Sequence, residues 1–376
     1  MEKVDIVIIG AGMAGASLGA VLAMDRNVAL LEREEQPGYH TTGRSAAVFS
    51  EAYGNKVIRA LSAASREFLV NPPAGFSDVP LVKEKGLLFI GRADQESLLD
   101  VNFKMASEFA DGIHRLNAEE TRQLVPVLKE GYAAGAVMEP GALELDVNAI
   151  HMGYLRQMKQ RGGQLFVDAE VTGLDRDDAA WIVVTPNQSF RAETVVNAAG
   201  AWIDKIAGIA GANAIGALPL RRTALTFSAD GAAAPEGMEK WPFVVDAEEE
   251  FYFKVEAGKI LASPADESES EPCDAQPEEL DIAIAVDRLQ KATNFEIRII
   301  ERTWAGLRTF APDRSPAVGF DAEVGGFFWF GGQGGYGIQT APAMAAAAAG
   351  LILYGKMPTN LKALGIKEED ISPQRF

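Results

Sequence analysis

Val4-Asp5-Ile6-Val7-Ile8-Ile9-Gly10-Ala11-Gly12-Met13-Ala14-Gly15 opens the chain, and its reading decides the fold. Residues 4–9 are β-branched and almost wholly apolar, as a central parallel strand buried on both faces must be. Glycines break the strand, and a helical stretch runs to about residue 24. Residues 28–31 read as a second strand, closed by Glu32. Strand, glycine triad, helix, strand and acid in that order predict a βαβ unit that binds a dinucleotide. Gly10 allows the tight turn, Gly12 lets the backbone approach a pyrophosphate, and Gly15 lets the helix pack close to the strand. The helix N-terminus offers N–H groups and a positive dipole to the phosphates. Glu32 stands where a carboxylate accepts hydrogen bonds from ribose hydroxyls.

Beyond this unit the pattern stays α/β. Helices are expected over residues 55–69, 96–110 and 149–161. Strands are expected over 86–91, 164–174, 181–185, 194–197, 221–227, 251–254 and 326–330. Residues 265–279, acidic and rich in Ser and Pro, read as a loop. Gly332-x-Gly334-x-x-Gly337 repeats the glycine spacing before an Ala-rich helix, but no second strand and acid follow. It either turns a helix N-terminus toward a bound ring, stabilising negative charge there, or merely packs.

Composition narrows the function. The 376 residues exceed one compact core and imply two domains or one large body with an inserted part. A net charge of −18 without a basic block argues against nucleic acid and anionic membranes as partners. The single cysteine, Cys273, excludes a disulfide framework and fits a reducing compartment, so a cytoplasmic protein is expected. His40, His114 and His151 lie far apart, and no metal site is expected. The longest apolar run, residues 341–354, is too short to span a bilayer.

Further motifs carry a resemblance. Gly43-Arg44-Ser45-Ala46-Ala47, the segment Val196-Asn197-Ala198-Ala199-Gly200-Ala201-Trp202, the stretch from Trp304 to Gly319 and the loop from Gly332 to Gln339, with the N-terminal motif and Glu32, resemble the D-amino-acid oxidase family of flavoproteins. The resemblance covers essentially the whole chain. Within that family, Gln36-Pro-Gly-Tyr-His-x-Thr-Gly-Arg-Ser-Ala-Ala, the segment around Asn71-Pro72-Pro73-Ala74-Gly75-Phe76 and Gln333-Gly-Gly-Tyr-Gly-Ile-Gln-Thr340 are most similar to the bacterial FAD-dependent D-arginine and D-amino acid dehydrogenases.

The resemblance implies a discontinuous Rossmann-like FAD-binding domain (residues 1–44, 148–217 and 303–376) and a mixed-sheet substrate-binding domain (45–147 and 218–302). It implies FAD contacts from Gly10, Gly12, Met13, Ala14 and Gly15, from Glu32 and Arg33, and from Gly43, Arg44, Ser45 and Ala46. Further contacts are implied from Val171, Ala199, Gly200, Trp202 and Gly306, and from Gly334, Gly335, Tyr336, Gly337, Ile338 and Gln339. Arg222 and Arg308 match a substrate-carboxylate clamp, and Tyr53 and Tyr252 match tyrosines near the substrate, Tyr53 on a mobile loop. Gly335 and Gln339 also match substrate contacts. Two departures stand out: Leu87 replaces a carboxylate that would bind a substrate guanidinium, and Val48 replaces a histidine. Ser50 stands for a threonine. An apolar Leu cannot neutralise a buried cation, so with Phe243 and Val245 the pocket should favour neutral or apolar side chains.

The expected reaction is FAD-dependent oxidation of a small D-amino acid by hydride transfer from Cα. The alternatives are a 2-hydroxy-acid dehydrogenase, which wants a histidine base, a secondary-amine oxidase of the sarcosine or glycine type, and a flavin-binding protein without catalysis. FAD is expected to be non-covalent, because Cys273 lies in the acidic loop and no histidine falls near the last glycine loop; His40, ahead of the Gly43–Ala47 segment, is the closest candidate for a covalent link. The electron acceptor is left open.

Overall fold

The structure is a computed structural model and describes residues 1–177, 180–229 and 236–376. Ile6–Ile9 is a strand with all four side chains buried, Met13–Leu22 a helix, and Val28–Leu31 the next strand. Ile6–Ile9 pairs in parallel with Val28–Leu31 on one side and Thr194–Asn197 on the other. The sheet extends to Gln164–Phe166 at one edge, and through Phe327–Gly331 to antiparallel Ala317–Phe320 at the other.

The period of two divides these strands between two cores. Ile6, Ile8, Val28 and Leu30 face the helices Met13–Leu22, Val147–Gln160 and Ala341–Tyr354. Val7, Ile9, Ala29 and Leu31 face a four-stranded sheet, formed by Glu2–Lys3, Gly173–Arg176, Trp181–Val184 and Ser189–Ala192, and the helix Ile203–Ile209. Continuous apolar strands are what this double burial requires.

A ten-stranded sheet forms the rest of the wall. Its path runs from Gln333–Gly334 through Arg302–Phe310, Leu218–Phe227, Lys259–Ser263, Tyr252–Glu256, Phe243–Asp246, Leu87–Gly91 and Gly135–Glu139 to His114–Asn117. One face buries Leu88, Ile90, Leu225 and Phe253 against the helix Glu279–Ala292. The other carries Leu87, Phe243, Val245 and Tyr252 toward the cavity described below.

Several local expectations change. Residues 164–174 do not form one strand: Gln164–Phe166 and Gly173–Arg176 belong to different sheets. Asp168 takes a left-handed φ of 50° between them, while Phe166 and Ala169 stay tied to the backbone of Glu32. The strand Arg302–Phe310 lies in the ten-stranded sheet, paired with Leu218–Phe227 along its whole length, although most of it was assigned to the FAD-binding segments. Residues 265–279 are more than a loop: Ser268–Glu269 pairs with Leu220 and Arg221. The helix Glu279–Ala292 was not anticipated, although Ile282, Ala285 and Leu289 carry its apolar face. The second glycine motif does not open the Ala-rich helix directly, because Gln333–Gly334 pairs with Thr309 and Phe310 and the helix starts at Ala341.

Candidate active site

One cavity of ≈ 420 Å³ follows the C-terminal ends of the parallel strands and continues under the ten-stranded sheet. Gly10, at φ 100°, turns the chain out of the first strand, and an added Cβ there would lie 2.5 Å from the carbonyl oxygen of Ala198. At Gly15 it would lie 1.9 Å from the carbonyl oxygen of Gly10, so helix and strand meet only with glycine at that position. Gly12, Met13 and Ala14 line the cavity directly.

Glu32 closes this end. One carboxylate oxygen accepts from the N–H of Ala11 (3.0 Å) and the other from the N–H of Glu34 (3.1 Å). Burial pushes its carboxyl up, and these N–H donors pull the other way. Its remaining lone pairs are available for hydroxyl donors. Beside it, Arg33 lies 5.0 Å over the ring of Trp202, and His40 bonds Glu34 at 2.8 Å. His40 therefore sits at the Glu32 end, while Cys273 is exposed and away from the cavity wall.

The segment 38–46 ties the two sheets together. Thr42 Oγ1 accepts from the N–H of Met13 at 3.0 Å, and Thr41 Oγ1 donates to the carbonyl of Leu307 at 2.7 Å. Arg44 donates to the carbonyls of Ala275 and Ala305 and pairs with Asp274, so the acidic segment is strapped to the strand that carries Arg308. Trp304 Nε1 donates to the carbonyl of Arg44 at 3.0 Å. Thr42 has no assigned role in the sequence, although it stands in the Gln36–Ala47 motif immediately before Gly43.

At the far end, Arg222 pairs with Gly306 and Arg308 with Leu220 across neighbouring strands. This makes the arginines diagonal neighbours on one face, roughly 7–8 Å apart. Arg222 is already partnered, donating to the carbonyl of Asp266 (2.7 Å) and to Glu267 (3.2 Å). Burial and the field of Arg308 lower its pKa. Arg308 has no ion-pair or hydrogen-bond partner among the described residues, yet it borders the cavity. Burial would lower its pKa, but Tyr252, Tyr53, Tyr336 and Glu267 around it more than offset this and raise it. Gly335 lies flat against its guanidinium, where a Cβ would stand 3.0 Å from the central carbon.

Tyr53 donates to Glu249 at 3.1 Å, and its ring meets Tyr336 at 5.2 Å. Burial raises the Tyr53 phenol well above its ordinary range, so it remains a donor. Glu249 stands at φ 57° in a turn whose geometry is set by Asp246, which accepts from the N–H groups of Glu248 and Glu250. Nothing in the sequence pattern singled out Glu249, since it is one of three consecutive glutamates. Leu87, Phe89, Phe243 and Val245 form an apolar wall beside Tyr252, and Val48, from the small three-stranded sheet, packs against it. Glu84 is exposed on the small sheet formed with Leu143–Leu145 and does not border the cavity.

The remaining nominated residues divide clearly. Ser45, Ala46, Val171, Ala199, Gly200, Gly306, Gly334, Gly337 and Ile338 border the cavity. Gly15, Gly43, Ser50 and Tyr336 stand behind its wall. Gly43 packs on the carbonyl of Gly38, 2.7 Å from a would-be Cβ. Ser50 is fully buried and donates to Glu139 at 2.6 Å rather than turning to the cavity. Gln339 borders the cavity, but its amide is spent on the backbone of Ser50 and on Ser62.

The glycine cradle, the partly free Glu32 carboxylate and the extent of the cavity would suit an extended dinucleotide such as FAD. The profile of the FAD dependent oxidoreductases matches residues 5–351. An uncharacterized oxidoreductase of Bacillus subtilis, YurR, is 28% identical over 266 residues, which span 66% of this chain and 64% of that one. The L-proline dehydrogenase of P. horikoshii superposes with a TM-score of 0.84 at 23% identity, covering 100% of this chain and 98% of the other. The glycine oxidase of Geobacillus kaustophilus superposes with a TM-score of 0.85 at 20% identity, covering 100% of both. The chain belongs to the family of FAD dependent oxidoreductases and is an enzyme that uses FAD.

Proposed function

We propose that this enzyme oxidises the amine-bearing carbon of a small amino acid, a D-amino acid with a neutral or apolar side chain. The observation that carries the reading is Arg308, a cation without a partner among the described residues, opening on the cavity beside an apolar wall. A guanidinium is suited to grip an α-carboxylate through two parallel hydrogen bonds. Bound FAD supplies the hydride acceptor.

Arg308 fixes the carboxylate, Arg222 adds positive field beside it, and Leu87, Phe89, Phe243 and Val245 receive the side chain. Tyr53, latched by Glu249, closes the mouth and keeps water out. With the anchor fixed, positioning of the Cα hydrogen supplies much of the rate. No histidine stands at this end among the described residues, so the substrate amine binds neutral or releases its proton to water. The same feature counts against a 2-hydroxy acid, whose hydroxyl proton needs a base. The D configuration, and kinship to the D-arginine and D-amino acid dehydrogenases, rest on the sequence motifs quoted above.

Glu249 favours a second reading. Its carboxylate at the mouth, held only by the phenol of Tyr53 among the described residues, suits a substrate with a charged, N-substituted amine. Comparing kcat/KM by dye reduction for D-leucine, D-methionine and D-phenylalanine against D-arginine, sarcosine and a 2-hydroxy acid decides. A lead for the first three is expected. A lead for sarcosine would establish the second reading, and a lead for D-arginine would show that the apolar wall has been misread.

A further inference from the structure

Ala11, the residue between the first two glycines, is buried and pinned by both of its backbone polar groups. Its N–H donates to Glu32 at 3.0 Å. Its carbonyl lies 2.8 Å from Nε2 of His151. A carbonyl only accepts, so Nε2 carries the hydrogen, and burial, which lowers the imidazole pKa, favours the neutral ring with Nδ1 bare. His151 belongs to the helix Val147–Gln160, which packs along the helix Met13–Leu22 behind the glycine loop, and it does not border the cavity.

The adjoining Cε1–Nδ1 edge of the imidazole supports the second strap of the cofactor site. Gly38, at φ 79°, lies so close that a Cβ there would stand 2.9 Å from Cε1 and 3.1 Å from Nδ1 of His151. The carbonyl of Gly38 accepts from the N–H of Gly43 at 2.8 Å, and the adjoining Thr42 accepts from the N–H of Met13. One ring thus abuts both backbone segments that must face the pyrophosphate. With both polar groups of Ala11 engaged, the peptides on either side are fixed in orientation. The N–H of Gly12 makes no hydrogen bond among the described residues and is left for the ligand.

We propose that His151 is a positioning residue for FAD: its Nε2–H holds the carbonyl of Ala11 and its ring supports Gly38, so that the glycine loop presents its N–H groups to the pyrophosphate. It touches neither substrate nor cofactor, and its effect is on FAD retention rather than on the chemical step.

The test compares His151→Leu, His151→Asn and His151→Gln with the parent holoenzyme. A glutamine Nε2 reaches about as far as the imidazole Nε2, whereas an asparagine falls one methylene short. The measurement is the Kd of FAD, from the free and bound flavin absorbance after dialysis of each holoenzyme, with the substrate KM at saturating FAD as the second readout. His151→Gln is expected to stay within about threefold of the parent. His151→Leu and His151→Asn should weaken FAD binding by about tenfold or more, as a buried carbonyl left without a partner implies, with KM unchanged. Should His151→Leu fail to fold, the asparagine–glutamine pair still decides. Equal FAD affinity in all variants, or a glutamine variant as weak as the asparagine one, would overturn the proposal.

Discussion

Arg308 shows at the scale of a residue what the sequence could and could not tell. Its role came from resemblance, because an arginine ahead of a proline-containing turn is by itself an unremarkable surface residue. The structure adds that among the described residues it has no carboxylate partner, while Arg222 has one in Glu267. The two arginines are therefore not equivalent. Arg308→Ala should reduce kcat/KM by about 2–5 kcal/mol, the range for removing one side of a buried charge pair, and Arg222→Ala by less. Steady-state kinetics of both variants at saturating FAD checks the order, and equal losses would contradict it. Gly335→Ala should raise KM without releasing FAD, since the protein atoms nearest the new Cβ are those of the Arg308 guanidinium. Loss of flavin from that variant would mean that Gly335 serves the cofactor instead. Glu249 was illegible for a physical reason: what distinguishes it from Glu248 and Glu250 is a left-handed backbone in one turn, and three equal letters do not encode that.

Elements were legible where burial is two-sided. Ile6–Ile9 and Val28–Leu31 are continuous apolar strands between two cores, and Thr194–Asn197 joins them with Val195 facing one core and Val196 the other. The acidic segment 265–279 is a loop apart from Ser268–Glu269 and Glu279, where the next helix starts, and its work is done by single side chains. Asp266 accepts from the N–H and Oγ1 of Thr223, and Glu267 bridges Arg222 and Arg314. Burial would raise the Glu267 carboxyl, but Arg314 outweighs this and lowers it. A lowered carboxyl contributes stability that is present above its unfolded value and lost as pH falls through its folded value. Thermal unfolding followed below the ordinary glutamate range should therefore show a loss that Glu267→Gln lacks. Identical pH dependence in the two proteins would remove the bridge from the account. The helix Glu279–Ala292 carries Ile282, Ala285 and Leu289 at helical spacing, but its start continues the acidic run before it and has no side-chain cap to mark it in the sequence.

At the scale of the whole molecule, a chain that leaves and re-enters the parallel sheet builds one cavity between that sheet and the ten-stranded one. Glu32 lies toward one end of this cavity and Arg308 toward the other. Cys273 is exposed outside the cavity, and His40 is engaged with Glu34 beside Trp202. FAD should therefore be non-covalent: acid precipitation should leave the yellow colour in the supernatant, and a yellow pellet would refute this. Because FAD is held by the folded chain alone, added FAD should raise the melting temperature in a concentration-dependent way.

The central claim is that the flavin takes hydride from an amino acid whose carboxylate Arg308 holds. Its most direct measurement is the anaerobic absorbance of the holoenzyme on mixing with D-leucine, D-methionine or the corresponding 2-hydroxy acids. The account predicts bleaching of the oxidised flavin by the amino acids, strongly slowed in Arg308→Ala. Bleaching by the hydroxy acids alone, or by amino acids equally fast without Arg308, would contradict it.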